Sequence, residues 1–316
     1  MENIHVALTF DDNYLEHSIV LMTSILANKL DDEKISFHIV DGGLSDSSKE
    51  IIKTMRNCDI KFYKVDKNIF KQYVKSDYYP VSMLYTMILP KLINVDKLIY
   101  LDSDMVVNSS LKELWQTDLQ DNYVGAVEDA NGKKYAKRFG MKSGSDGASK
   151  FFNTGTMLIN CKKWLENDIP NRAVKMSMEK TGTTFGFDQT VLNQLFEGKV
   201  EFLDLKFNLQ YCPINVWPSY ENIDEYKNAI KNPSIIHYVG DYKPWKQGLG
   251  CFNPKQEDYL KYHKLTCYAH SDYKRWQLED KATCYKGVIA LVKRYPLFFL
   301  RKQFWTNFSY MSVLKK

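Results

Sequence analysis

The chain has 316 residues, enough for one large buried core and an appendage. Its 44% hydrophobic and 26% charged content excludes a disordered or membrane-embedded chain. The net charge of +5 is unevenly placed: eight basic and no acidic residues lie between Lys281 and Lys316, leaving 35 basic against 38 acidic before them.

"IHVALTF" (Ile4–Phe10) predicts a first strand, and "DDNYLEHSIVLMTSILANKL" the helix after it. There Leu15, Ile19, Met22, Ile25 and Leu26 recur at three- and four-residue steps, with Asp11 or Asp12 placed as cap. "ISFHIVDGG" is a second strand and turn, "SDSSKEIIKTMRN" a second helix capped by Ser45 or Asp46, and "DIKFYKVD" a third strand. "SMLYTMILPKLI" is expected to be helical up to Pro90, with "KLIYLDSDMVV" as the next strand. Then "YVGAVEDA", "TGTMLIN" and "VEFLDL" read as strands among longer loops, and from Asn253 the pattern is helical, aromatic and basic. Alternating strands and helices imply parallel pairing in a doubly wound sheet. Ligands of such sheets bind beyond the strands' carboxyl ends, so Asp11, Asp41 and Asp102 should share one rim.

Two carboxylates at a strand end, Asp102 and Asp104, are costly unless a partner offsets their desolvation. An i, i+2 pair suits an oxygen-loving divalent metal, although a turn aspartate beside a solvated one is the ordinary explanation of so short a pattern. In "IIHYVGDYKPW", His237 ends an apolar run where an imidazole can reach the same rim. Mixed carboxylate and imidazole ligation favours Mn²⁺, with Mg²⁺ as the other candidate. Gly240 allows close backbone approach, and Lys243, followed by Pro244 and Trp245, is placed to neutralise a phosphate. In "FFNTGTMLINCKKW", Asn153 and Gly155 fall at a loop-to-strand junction. In "FGFDQTVLN", Asp188 and Gln189 fall at a helix N-terminus, where capping is the simpler role for the aspartate.

In chain order, "FDDNY", "LDSD", "VEDA", "FNTG…LIN…W", "FDQTVLN" and "HYVGDYKPW" resemble glycosyltransferase family 8. These retaining nucleotide-sugar transferases include bacterial lipopolysaccharide and lipooligosaccharide galactosyl- and glucosyltransferases and glycogenin. The resemblance runs from about Ile4 to Trp245. It implies a GT-A type α/β domain over residues 1–250, with a mixed, mainly parallel sheet, and a small helical extension over 251–316. It also implies roles. Asp11, Asn13 and Tyr14 would contact the uridine of a UDP-sugar; Asp102, Asp104 and His237 would hold Mn²⁺. Gly240 and Lys243 would cradle the diphosphate, and Asp129, Asn153, Asp188 and Gln189 would surround the transferred sugar. The implied activity is hexosyl transfer, galactose or glucose, to a glycan or glycolipid acceptor of the bacterial surface.

Two departures stand out. The family's arginine in a "Y-x-R-L" setting is missing from "LYTMILP", where Thr86 or Met87 stands near its place, so either the donor phosphates or Asp102 lose a partner or another base substitutes. Close bacterial relatives follow the Asp-Gln pair with an aspartate, here Thr190, which loosens any assignment of the sugar.

The tail "YKGVIALVKRYPLFFLRKQFWTNFSYM" mixes basic and aromatic residues, a composition suited to an anionic membrane surface, with Pro296 dividing it into two short helices. A C-terminal helix packed on the body with snorkelling lysines is the plainer alternative. Bacterial relatives with lipid-linked acceptors carry a comparable tail, so peripheral membrane binding is the preferred reading. No basic stripe crosses the body, so nucleic acid is not an expected partner. Six cysteines without a CxxC pair, no signal-like N-terminus and no run of ~20 apolar residues point to a cytoplasmic protein with free thiols, peripheral on the inner face of the membrane. Three rivals are poorer fits. A haloacid dehalogenase-type phosphatase shares "DSDMV" but carries its aspartates on the first strand. A nucleotidyltransferase would need a glycine-rich basic loop after "LTF". A non-catalytic nucleotide-sugar-binding relative would have little reason to keep all three metal ligands.

Overall fold

The computed structural model describes residues 2–66, 84–141, 150–179, 187–210, 222–240, 243–245 and 255–269. In chain order the described strands are β1 (Glu2–Phe10), β2 (Glu33–Asp41), β3 (Asp59–Lys64), β4 (Lys97–Leu101) and β5 (Met105–Val107). They continue as β6 (Val124–Glu128), β7 (Phe152–Asn160), β8 (Val200–Phe202), β9 (Leu209–Gln210) and β10 (Ile235–His237). Seven of them form one sheet in the order β3-β2-β1-β4-β7-β6-β8, while β5, β10 and β9 form a small second sheet.

The large sheet is mainly parallel. β1 pairs parallel with β2 and β4, β2 with β3, and β6 with β8; only β7 runs antiparallel, to both β4 and β6. Ile4, Val6, Leu8, Phe37 and Ile39 are fully or almost fully buried, as expected of strands covered on both faces. Phe10 of β1 lies opposite Asp41 of β2, and Ala7 opposite Tyr100 of β4. The three strands therefore end together, and Asp11, Asp41 and Asp102 leave along one rim.

The first helix spans Leu15–Asn28 and buries Leu15, Ile19, Met22 and Ile25, the periodic positions of its sequence. It does not begin at Asp11. A short 3-10 turn, Asp12–Tyr14, comes first, because both Asp11 carboxylate oxygens are taken by the Asn13 backbone and side-chain N–H groups. Ser45 caps Asp46–Lys53 by accepting from the Ser48 N–H. The helix Tyr85–Leu92 runs through Pro90 instead of stopping there. An interior proline costs about 3 kcal/mol, but every residue from Tyr85 to Pro90 is buried, and that packing outweighs the local penalty.

"KLIYLDSDMVV" is not one strand. β4 ends at Leu101, the chain turns through Asp102–Asp104, and β5 leaves to pair antiparallel with β10, Met105 opposite His237. Asp and Ser are poor strand residues, and the turn spares two carboxylates from burial between neighbouring strands.

By compactness the described residues up to Leu209, together with 222–237, form one unit; Gln210 and the described residues from Tyr238 onward belong to a second. The second unit contains the helix Gln256–His263, in which Tyr259, Leu260 and Tyr262 are buried. Cys58, Cys161 and Cys267 are free thiols, as expected. No described helix is long and apolar enough to cross a membrane. The basic, aromatic tail, with its two expected helices, lies outside the described residues.

Candidate active site

The turn between β4 and β5 and the end of β10 bring Asp102, Asp104 and His237 together. His237 Nε2 lies 3.2 Å from Asp104 Oδ1 and 3.7 Å from Asp102 Oδ2. One ligand atom from each of the three lies within 4.8 Å of the others. Tyr100 donates its hydroxyl to Asp102 Oδ1 at 2.8 Å, leaving Oδ2 toward the imidazole. Burial, then the Asp102 charge, pushes the Tyr100 pKa well up, so this phenol stays a donor. Two carboxylates and an imidazole suit a divalent cation, and their spacing fits one.

Space for the His237 ring is made by Gly155 on β7. A Cβ there would meet His237 Cε1 at 2.4 Å and Met105 Cε at 2.7 Å. Asn153 and Gly155, expected at a loop-to-strand junction, lie inside β7, in a stretch where the ladder slips. Ala126 faces Met157 but Glu128 faces Phe152, so β7 covers five steps where β6 covers two. Such irregularities re-aim side chains next to functional sites.

Asn153 is the centre of the polar network that results. Its Nδ2 donates to Asp129 Oδ2 (3.1 Å) and to Gln189 Oε1 (3.2 Å). The Gln189 amide donates in turn to Asp129 Oδ2 at 3.1 Å, and the Thr154 backbone N–H holds Gln189 Oε1 at 3.2 Å. On its other side Asn153 Oδ1 accepts from Asn208, which contacts His237. Asn193 fixes the helix Phe187–Leu195 to β7, accepting from the Phe152 N–H and donating to the Phe152 carbonyl.

Asp129, Asp188, Gln189 and Thr190, with Tyr135, Phe139 and Phe151, line a cavity of about 250 Å³. Asp188 sits in the first turn of its helix. Burial, and then the Asp102 charge, pushes its pKa up to about 6, against hydrogen bonds from the Gln189 and Asp188 N–H groups and from Thr86. Thr86 thus stands beside Asp188 near the position of the family's arginine, offering a hydroxyl where a guanidinium would offer charge.

Asp11, Asn13 and Tyr14 follow β1, the strand beside β4. Asp11 and Asn13 bind each other, and Tyr14 is 39% exposed, its ring edge-on to His17. Gly240 and Lys243 belong to the second unit. Gly240 has φ +70°, a conformation that favours glycine. Lys243 is not a surface lysine: it is buried and donates to the Tyr238 carbonyl.

The sequence reading missed Asn208, Tyr100 and Thr154. Only Asn208 left a trace, as an amide between the apolar Phe207 and Leu209 in "LKFNLQ".

An α/β sheet whose carboxyl rim gathers a carboxylate–imidazole cluster fit for a cation, beside a polar and aromatic cavity, is a ligand-binding arrangement. The profile described as "Glycosyl transferase family 8" matches residues 5–248, and the chain belongs to that family. It is 30% identical over 264 residues to a putative glycosyltransferase of Haemophilus influenzae, covering 80% of this chain and 76% of that one. It is 29% identical over 256 residues to a lipopolysaccharide 1,2-glucosyltransferase of Escherichia coli, covering 77% and 74%. Among solved structures it resembles the galactosyltransferase LgtC in complex with donor and acceptor sugar analogs, with 27% identity and a TM-score of 0.70 over 84% of this chain and 96% of that one. The fold is accordingly GT-A.

Proposed function

We propose that the protein is a retaining, Mn²⁺-dependent hexosyltransferase that moves galactose or glucose from a UDP-sugar to a bacterial surface glycan. The observation that carries this reading is the continuity of two half-sites. The Asp102–Asp104–His237 group joins, through Asn208 and Asn153, the cavity lined by Asp129, Asp188 and Gln189. The lining of that cavity offers amide and carboxylate groups for sugar hydroxyls and rings for a C–H face. Exposed Tyr14 suits stacking on uracil, while Gly240 and Lys243 take the diphosphate by their place in the family motif.

A divalent cation bound by Asp102, Asp104 and His237 would supply charge neutralisation at the diphosphate leaving group. Gln189 is held rigid by Asn153, Thr154 and Asp129, and an amide is a poor nucleophile. We therefore favour a same-face displacement. The bond from the anomeric carbon to the phosphate oxygen breaks, the acceptor hydroxyl enters on that face, and the departing phosphate takes its proton. Trapping a glycosyl adduct on Asp188 by mass spectrometry would overturn this route. The acceptor is of the lipopolysaccharide, lipooligosaccharide or capsule type, in keeping with the E. coli relative. At the inner leaflet, each basic residue of the tail would add about 1 kcal/mol of attraction.

The test is UDP release from a panel of UDP-sugars with Mn²⁺, Mg²⁺ or EDTA, on wild type and Asp104→Ala. Metal-dependent release from one sugar, lost in the variant, supports the reading and names the donor. No release, with UDP bound and acceptors supplied, favours a binding protein without turnover.

A further inference from the structure

We propose that Asn208 is a positioning residue that fixes the tautomer of His237, through a chain of directed hydrogen bonds that begins at a backbone amide. The proposal rests on reading Asp102, Asp104 and His237 as a cation site.

The direction of each bond follows from the one before. The Gly155 backbone N–H can only donate, and it donates to Asn153 Oδ1 at 3.0 Å. That oxygen is therefore the acceptor for the Asn208 amide, whose Nδ2 lies 2.9 Å away. With its nitrogen committed there, Asn208 presents Oδ1 to His237 Nδ1 at 3.1 Å. An oxygen facing a ring nitrogen requires N–H on that nitrogen. Nδ1 thus keeps its proton whatever Nε2 carries, and the nitrogen left to meet a cation is Nε2, which faces Asp102 Oδ2 and Asp104 Oδ1.

The surroundings leave few alternatives. Asn208 is fully buried, so water does not compete for its amide. The His237 ring lies against Gly155, where not even a methyl fits, and cannot swing to another partner on that side. The other tautomer would point N–H at the cation position and set a bare nitrogen against the Asn208 oxygen, losing a buried hydrogen bond. Since Asn153 also holds Gln189 and Asp129, one amide anchors both the imidazole and the sugar-side residues.

The experiment uses the full chain. Ring ¹⁵N shifts of His237, measured without cation at neutral pH, report the tautomer directly. Mn²⁺ affinity is read from the electron paramagnetic resonance signal of the free ion. In wild type, Nδ1 is expected to be protonated. Asn208→Ala should mix the tautomers and weaken Mn²⁺ binding about 10- to 100-fold. Asn208→Asp, which keeps an acceptor for Nδ1–H, should hold the tautomer. A wild-type ring with no proton on Nδ1 overturns the proposal, whatever the variants do. So does a folded Asn208→Ala protein with unchanged tautomer and affinity. If wild type binds no Mn²⁺, the cation-site reading fails separately, while the cation-free spectrum still decides the role of Asn208.

Discussion

Replacing Gly155 by alanine places a methyl group inside the space of the His237 ring. The added Cβ would sit 2.4 Å from Cε1, 2.7 Å from Nδ1 and 2.7 Å from Met105 Cε. Ordinary contact begins at 3.4 Å, so the ring must retreat by about 1 Å. Met105 can swing its methyl aside; the imidazole is tied to Asn208, and its backbone is paired with β5. Overpacking of this kind costs about 1–3 kcal/mol of stability. The displacement should also separate Nε2 from the two carboxylates and weaken Mn²⁺ binding by about 10- to 100-fold. Turnover should fall about 100-fold, the usual cost of a 1 Å misplacement. Urea unfolding, titration of free Mn²⁺ and UDP release measure the three effects on one preparation. If Gly155→Ala lost stability but kept wild-type Mn²⁺ affinity, His237 would not be a ligand held in place by β7.

Asp188→Asn should stabilise the cation-free protein while reducing turnover. The folded pKa lies above the ordinary carboxylate value, so the penalty to folding builds as pH rises from the unfolded value of about 4 and is complete above about 6. Removing it should add roughly 1–3 kcal/mol at pH 7.5 and little near pH 4; a lower melting temperature at pH 7.5 would contradict this. His38 works in the opposite direction. Burial, then the His5 and Lys61 charges, lowers its pKa to about 4, between His5 at 3.0 Å and the Tyr63 hydroxyl at 2.8 Å. A depressed histidine leaves stability intact above the unfolded value near 6.5 and removes it as pH falls toward 4. The loss should approach roughly 3 kcal/mol, and a His38→Gln protein should show a shallower decline in urea midpoint. Trp164→Ala should cost about 3–5 kcal/mol, because the ring is fully buried, donates to the Tyr123 carbonyl and packs 5.0 Å from Phe196. A shift of under a degree in melting temperature would refute that.

The parallel half of the sheet was legible because its strands are short apolar runs bounded by caps and turns. Ser45 and Asp11 announced themselves as capping residues by type and place. The turn inside "LDSD" was read as strand, since Met105–Val107 is as apolar as Leu98–Leu101 and only pairing distinguishes the two sheets. Pro90 misled for the reverse reason: local chemistry says stop, and burial of the surrounding turn says continue. The metal-ligand candidates were visible as residue types that are costly where they stand. Asn208 and Thr154 were not, because an amide or hydroxyl in an apolar segment acquires meaning only from what lies opposite it. Thr86 illustrates the same limit: the missing arginine was evident, but its effect on Asp188 needed the distance between helices.

The chain's change of sheet at Asp102–Asp104 has a mechanical consequence. Asp102 leaves the large sheet, Asp104 leads into the small one, and His237 ends the small sheet's central strand. A cation shared by the three would act as a rivet through the two ladders where that short turn passes from one to the other. Occupancy at a hundred times Kd would add about 2.7 kcal/mol to folding. The protein's rigidity would then track the metal supply of its surroundings, so that a cell starved of the ion would hold a softer protein as well as a slower one.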